Sequence, residues 1–321
     1  MSRRATTTGP RGLLCAALLC VSGCGDAPTP PNREPLPGQI LFSRTMADER
    51  QIVRTQLFVT TLDGGDATQL TFETGVSHPT IAPDGRRFAY LRQVEADRFI
   101  VVRAMDGRQE AAFLPETPCV ASLAWSPDGE RLAFSTGCGR SDIWVVNRDG
   151  SGLTMLGPGV GPYWSPDGSK IAFSTSTDGV NSRIGIMSAN GADWTLFPAS
   201  SGSDWPGPWS PDGSLLTFGH NEPAVDFEHT RFETWLMRPD GSGRRRLTES
   251  HAGYREGLSA WSPDGRYFTF VAVPQMEEWR GARIYVARAD GSGAREIAIG
   301  RPVGASEYGD MDPSWAPRPD R

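Results

Sequence analysis

The chain has 321 residues, with 32 Lys and Arg against 38 Asp and Glu, a formal net charge of −6. That balance argues against a nucleic-acid binder, which needs a basic surface to displace counterions from phosphate. Its 37 Gly and 26 Pro exceed the usual shares of about 7% and 5% but stay below the roughly 25–30% of disordered chains. With ten Trp, this is the composition of a packed, turn-dense β protein.

Residues 1–23 read as a targeting segment. Arg3, Arg4 and Arg11 precede an apolar run, Leu13 to Val21, shorter than the about 20 residues of a membrane span. Leu18-Leu19-Cys20-Val21-Ser22-Gly23-Cys24 resembles the bacterial lipobox, which implies cleavage before Cys24 and a lipid on its sulfur. An ordinary secretory signal cut nearby is the alternative, and both readings place the mature chain outside the cytoplasm. Residues 24–37 carry Pro28, Pro30, Pro31, Pro35 and Pro37. Proline this dense favours extended, semi-rigid chain and predicts a tether.

From residue 38 to 321 the chain repeats, and a period of about 40–55 residues with four short strands marks a β-propeller blade. Ile81-Ala82-Pro83-Asp84-Gly85 returns as Trp-Ser-Pro-Asp-Gly at Trp125, Trp164, Trp209 and Trp261, and in reduced form at Trp315-Ala316-Pro317. A second turn, Asp/Asn-Gly, starts at Asp63, Asp106, Asp149, Asn190, Asp240 and Asp290. Proline presets the first turn position and glycine accepts the left-handed one, giving a tight hairpin between an inner strand A and the next strand B. β-Branched and aromatic segments such as Ile171-Ala172-Phe173-Ser174 and Arg283-Ile284-Tyr285-Val286 supply strands B and C. The fold expected is all-β: six four-stranded blades, with the C-terminal strand completing the first.

These residues resemble the repeat of TolB-type propellers, also found beside the hydrolase domain of prolyl oligopeptidase-like peptidases. The likeness covers nearly all of residues 38–321. It implies a six-bladed ring and an adaptor role with envelope partners such as those of the Tol–Pal system. The hydrolase elbow G-x-S-x-G does not occur; the nearest approach, Gly139-Arg140-Ser141, has Ile143 where glycine is needed.

Other chemistry is sparse. His78 and His251 read as ordinary strand and loop histidines. His220, Glu222, Glu228 and His229 crowd the expected B–C loop of blade five and could hold a divalent ion or form a solvated polar loop. Arg244-Arg245-Arg246 suits either phosphate contact or a charged edge strand. Counting outward from the Asp128-Gly129 turn sets Cys119 nearly opposite Cys138, so export predicts a disulfide, against the alternative of two free thiols. The recurring Trp residues read as structural.

The expected B–C loops are longest in blades five (220–231), six (272–282) and one (45–55). The same blades carry Asp204, Glu256 and Asp310 five residues before the inner-strand Trp. This predicts an acidic channel mouth opposite the tight turns, with Met46, Phe227, Met276 and Trp279 as apolar anchors. The functional expectation is a monomeric, lipid-anchored module of the cell envelope that binds a protein or peptide, with no cofactor. The alternative is a carbohydrate- or metal-dependent lyase or hydrolase working in the channel.

Overall fold

The structure is a computed structural model describing residues 36–62, 65–117, 119–176, 181–198, 202–221, 232–248, 254–257, 260–274, 280–300 and 307–319. In chain order, β1 (Gln39–Ala47), β2 (Val53–Thr61) and β3 (Thr68–Gln69) come first. Blade two follows as β4 (Val76–Ile81), β5 (Arg87–Val94), β6 (Asp97–Ala104) and β7 (Gln109–Phe113). Blade three is β8 (Val120–Trp125), β9 (Arg131–Thr136), β10 (Asp142–Asn147) and β11 (Thr154–Pro158). Blade four is β12 (Val160–Trp164), β13 (Lys170–Thr175), β14 (Arg183–Ser188) and β15 (Trp194–Leu196). Blade five is β16 (Ser203–Trp209), β17 (Leu216–Asn221), β18 (Phe232–Met237) and β19 (Arg245–Arg246). Blade six is β20 (Tyr254–Gly257), β21 (Tyr267–Pro274), β22 (Arg283–Arg288) and β23 (Arg295–Glu296).

The last strand, β24 (Glu307–Ala316), pairs antiparallel with β1, from Gln39 opposite Ala316 to Ala47 opposite Glu307. The first sheet is therefore ordered β24-β1-β2-β3, and blade one takes its innermost strand from the end of the chain. Closure needs Gly85 in the adjoining turn. Its φ is +67°, and a Cβ there would lie 2.1 Å from the Pro317 carbonyl oxygen.

Each blade buries both faces against its neighbours, and successive residues of a strand point opposite ways. Ile40 and Phe42 of β1 join Val271, Ile284 and Val286 of blade six. Leu41, between them, joins Val76, Phe88 and Tyr90 of blade two. The remaining apolar clusters fill the other blade interfaces in the same manner. Each fully buried Leu or Phe contributes about 1.5–3 kcal/mol.

The tight turns explain the repeated Ser-Pro-Asp-Gly. Ser165 Oγ donates to Asp167 Oδ1 at 2.6 Å, while Ser169 N–H donates to the same oxygen at 3.0 Å. Ser126 with Asp128, Ser210 with Asp212 and Ser262 with Asp264 repeat the first bond. The Trp residues before these turns are buried. Trp125 Nε1–H donates to the Thr80 carbonyl at 3.2 Å, and Trp209 Nε1–H to Tyr163 at 3.1 Å. Each thus fastens its blade to the one before.

Candidate functional site in the central channel

The inner strands enclose a cavity of about 580 Å³. Its wall includes Trp125, Trp164, Trp209, Trp261 and Trp315, prolines of the tight turns, and the polar residues His78, Ser122, Tyr163 and Asp312. These residues lie at the tight-turn end of the inner strands, so the cavity occupies that half of the channel. Trp125 and Trp209 therefore both staple the blades and line the cavity.

A β-bulge aims the polar groups inward. Strand register slips between Ser77 and Thr80 in β4, between Val160 and Tyr163 in β12, and between Met311 and Ser314 in β24. A bulge adds one residue and re-aims side chains. The slip contains His78 at φ +50° and Asp312 at φ +51°, with Gly161 at φ +60° in blade four. Glycine takes this conformation freely. For His78 and Asp312, each preceding a proline and so biased to extended backbone, it costs on the order of 1–3 kcal/mol. The two residues occupy equivalent places on adjoining blades and face the same cavity. Asp312 Oδ2 accepts a bond from Ser43 Oγ at 2.9 Å. Desolvation by the surrounding channel wall holds the His78 imidazole below its ordinary pKa, outweighing the opposing pull of Asp312. Burial, then Asp312, pushes the Tyr163 phenol up to about 12. At neutral pH the channel thus presents a neutral imidazole and a neutral phenol beside Asp312 and apolar rings.

The same bulge corrects the expectation of an acidic mouth. Asp204 and Asp310 lie in register with His220 and Arg44 on the adjoining strands, and are 1% and 2% exposed. Arg44 holds Asp310 through Nε at 2.5 Å and Nη2 at 2.8 Å, and its guanidinium packs over Phe42, Phe58 and Tyr308. Asp204 meets His220 Nδ1 at 2.7 Å and Arg244 Nη1 at 3.0 Å. The bulge lies between each aspartate and its Trp, and both aspartates are held against the adjoining strand instead of at the channel mouth. Glu256 lies in β20 opposite Ala272; its side chain is outside the description.

Three further expectations change. His220 belongs to β17 rather than to a loop and is buried. The loop expected at 45–55 is mostly ladder, with Ala47 paired to Val53. Met46 sits in that ladder and packs against the core between blades six and one, because polar and β-branched residues on either side continue the strands. Arg244 is tied to Asp204, and Arg246 Nη1 reaches Glu233 at 3.1 Å. Cys119 and Cys138 are joined by a disulfide with Cα atoms 5.6 Å apart. Cys24, Glu222, Phe227, Glu228, His229, His251, Met276 and Trp279 lie outside the described residues. Among the described residues, no group of three or more His, Cys, Asp or Glu could hold a metal ion.

His78 and Asp312 were missed as a pair because they lie at opposite ends of the chain and each sits among other polar residues of its inner strand. The available signal was the proline two residues before the turn motif, in His78-Pro79 and Asp312-Pro313. Proline removes a ladder donor and marks bulges in inner strands.

Comparison with known proteins follows this geometry. The family described as TolB beta propeller domain matches residues 100–318. The Tol-Pal system protein TolB of Anaeromyxobacter dehalogenans strain 2CP-C is 30% identical over 197 residues, 60% of this chain and 34% of the relative. The chain thus spans about a third of the length of the curated relatives it matches. TolB from Acinetobacter baumannii superposes with a TM-score of 0.70 at 16% identity, covering 88% of this chain and 67% of that one. A chain of a nidogen/laminin complex reaches 0.59 at 11% identity, covering 87% and 98%. At such identities these likenesses show the fold alone, which hosts unrelated functions.

Proposed function

We propose, on the premise that this chain belongs to the TolB β-propeller family, that it captures an envelope protein or peptide in its channel. In this reading the chain works outside the cytoplasm, is held to a membrane by lipid on Cys24, and acts as a binder rather than an enzyme. The observation that carries it is the pair His78 and Asp312. Both are kept in a costly left-handed conformation and both face one cavity. Strained residues of this kind cluster at ligand sites, where the surrounding fold over-determines them. The cavity offers recognition chemistry: a carboxylate and hydroxyls for main-chain or cationic groups, and apolar rings for side chains. Relatives named as Tol-Pal system proteins support an envelope partner of that kind.

The test is photo-crosslinking in native envelopes from a probe at Ser122, in the full chain and in a His78→Ala/Asp312→Asn double variant. A discrete adduct that falls about tenfold or more in the double variant, with unchanged melting, supports the reading. Equal adducts in both chains would overturn it. Separately, Cys24→Ala should move the chain from the membrane to the soluble fraction. Unchanged fractionation would remove the lipid anchor from the account.

A further inference from the structure

We infer that the hairpin face of blades one and two is a second docking surface, separate from the channel, for a basic amphipathic segment of another protein. Ile52, Val53, Phe72, Val94 and Leu114 expose 42–78% of their surfaces. Single exposed apolar residues are common, whereas a grouped set marks an interface. All five lie at one end of two adjoining blades. Ile52 and Val53 form the tip joining β1 to β2, and Val94 flanks the turn joining β5 to β6. Phe72 and Leu114 follow β3 and β7, which run toward the same end.

Hydrogen bonds to Glu73 fix the backbone beside Phe72 where the two blades meet. Gln56 Nε2–H of blade one donates to the Glu73 carbonyl at 2.7 Å. The Tyr90 hydroxyl of blade two donates to the Glu73 carboxylate, and Arg103 Nη2 stands 3.0 Å from it. Phe72, next to Glu73, is therefore fixed where the two blades meet.

Charge selects the occupant. Glu49, Glu95, Asp97 and Glu116 are exposed on this face, against exposed Arg50 and Arg54. The acidic excess suits a partner carrying Lys or Arg beside apolar side chains. A second copy of this chain would set like charges against each other in a two-fold contact. An anionic membrane would be repelled by the carboxylates. The chain also enters the ring at the opposite face, where Gln39 Nε2–H donates to the Gly85 carbonyl at 2.7 Å and Trp315 Nε1–H to Pro37 at 2.7 Å.

The experiment titrates the full chain with a fluorescein-labelled peptide of alternating Leu and Lys, and with its twin carrying Glu for Lys. Both are repeated with a Phe72→Ser/Val94→Ser double variant and with His78→Ala. The expected result is that the Lys peptide binds at least about tenfold tighter than its twin. The double variant should lose about tenfold or more, and a loss of that size in His78→Ala instead would place the peptide in the channel and overturn the proposal. Added salt should weaken the complex, as screening requires. Equal binding of the twins, or no loss in the double variant, would overturn the proposal. So would binding to phosphatidylglycerol vesicles that the double variant abolishes, or a dimer of the chain that it dissociates.

Discussion

Blades one and five place an aspartate at the same position of the inner strand and bury it in different ways. In blade one, Asp310 takes both of its bonds from Arg44, and Arg44 is itself buried under three aromatic rings. In blade five, Asp204 divides its bonds between the His220 ring and Arg244. Blade one joins the two ends of the chain, so its ion pair also fastens the closure. In blade five the chain runs continuously through the sheet, and Arg244 retains access to water. The same carboxylate is thus a lock in one blade and a local brace in the other. Its energetic weight follows from the partner left behind when it is removed.

The largest expected effect breaks the lock. Asp310→Ala strands the Arg44 guanidinium in the core and should cost about 3–5 kcal/mol, read as a drop in the urea midpoint. A loss below about 1 kcal/mol would show that water reaches Arg44. Blade three fastens its inner hairpin covalently, which gives a third case. Cys119→Ser/Cys138→Ser should lower stability by about 3 kcal/mol for a closed loop of this length, and reduction of the wild-type chain should match it. Asp204→Ala should cost less, about 2 kcal/mol, since partly exposed Arg244 is rehydrated. If its cost equals that of Asp310→Ala, ring closure adds nothing to the pair.

The smallest effect lies in the turns. Hydrogen bonds from Ser165 and then Ser169 hold the Asp167 carboxylate at about 2, below its usual about 3.9. The Ser210 and Ser126 hydroxyls lower Asp212 and Asp128 in the same direction. A carboxylate depressed in the folded state supports stability above its unfolded pKa and loses that support as pH falls through the folded value. The turns should therefore weaken between about pH 4 and pH 2. Ser165→Ala should bring the Asp167 titration back toward the ordinary range by NMR. Because Asp167 is exposed, the cost at pH 7 should stay below about 1 kcal/mol. An unmoved titration would contradict the assignment.

The ring was legible because its signal is repeated and local. Proline, aspartate and glycine at fixed offsets specify each turn, and short β-branched and aromatic runs specify each strand. The closure of β24 onto β1 follows from counting six inner strands against six sets of the remaining three. The site was less legible because the offset of Asp204 and Asp310 from their Trp does not reveal the buried partners His220, Arg244 and Arg44 that take up both carboxylates. The loop at 45–55 misled for a related reason. Thr45, Met46, Thr55 and Gln56 lack the apolar density of a core strand, yet they extend the ladder through cross-strand pairs, including Thr45 with Thr55 at 2.9 Å. His78 read as an ordinary strand histidine because its partner in the channel lies 234 positions away, at Asp312.

On the proposed reading, His78 and Asp312 are held in left-handed backbone for the channel and not for the ring. Glycine substitution tests it most directly, since glycine relieves the strained φ but gains freedom in the unfolded chain, and the two effects nearly cancel. The measurement is the unfolding free energy of His78→Gly and Asp312→Gly together with the Ser122 crosslinking yield. The account predicts stability within about 1 kcal/mol of wild type and a yield reduced about tenfold or more. Stability lost by more than about 2 kcal/mol, with the yield intact, would contradict it.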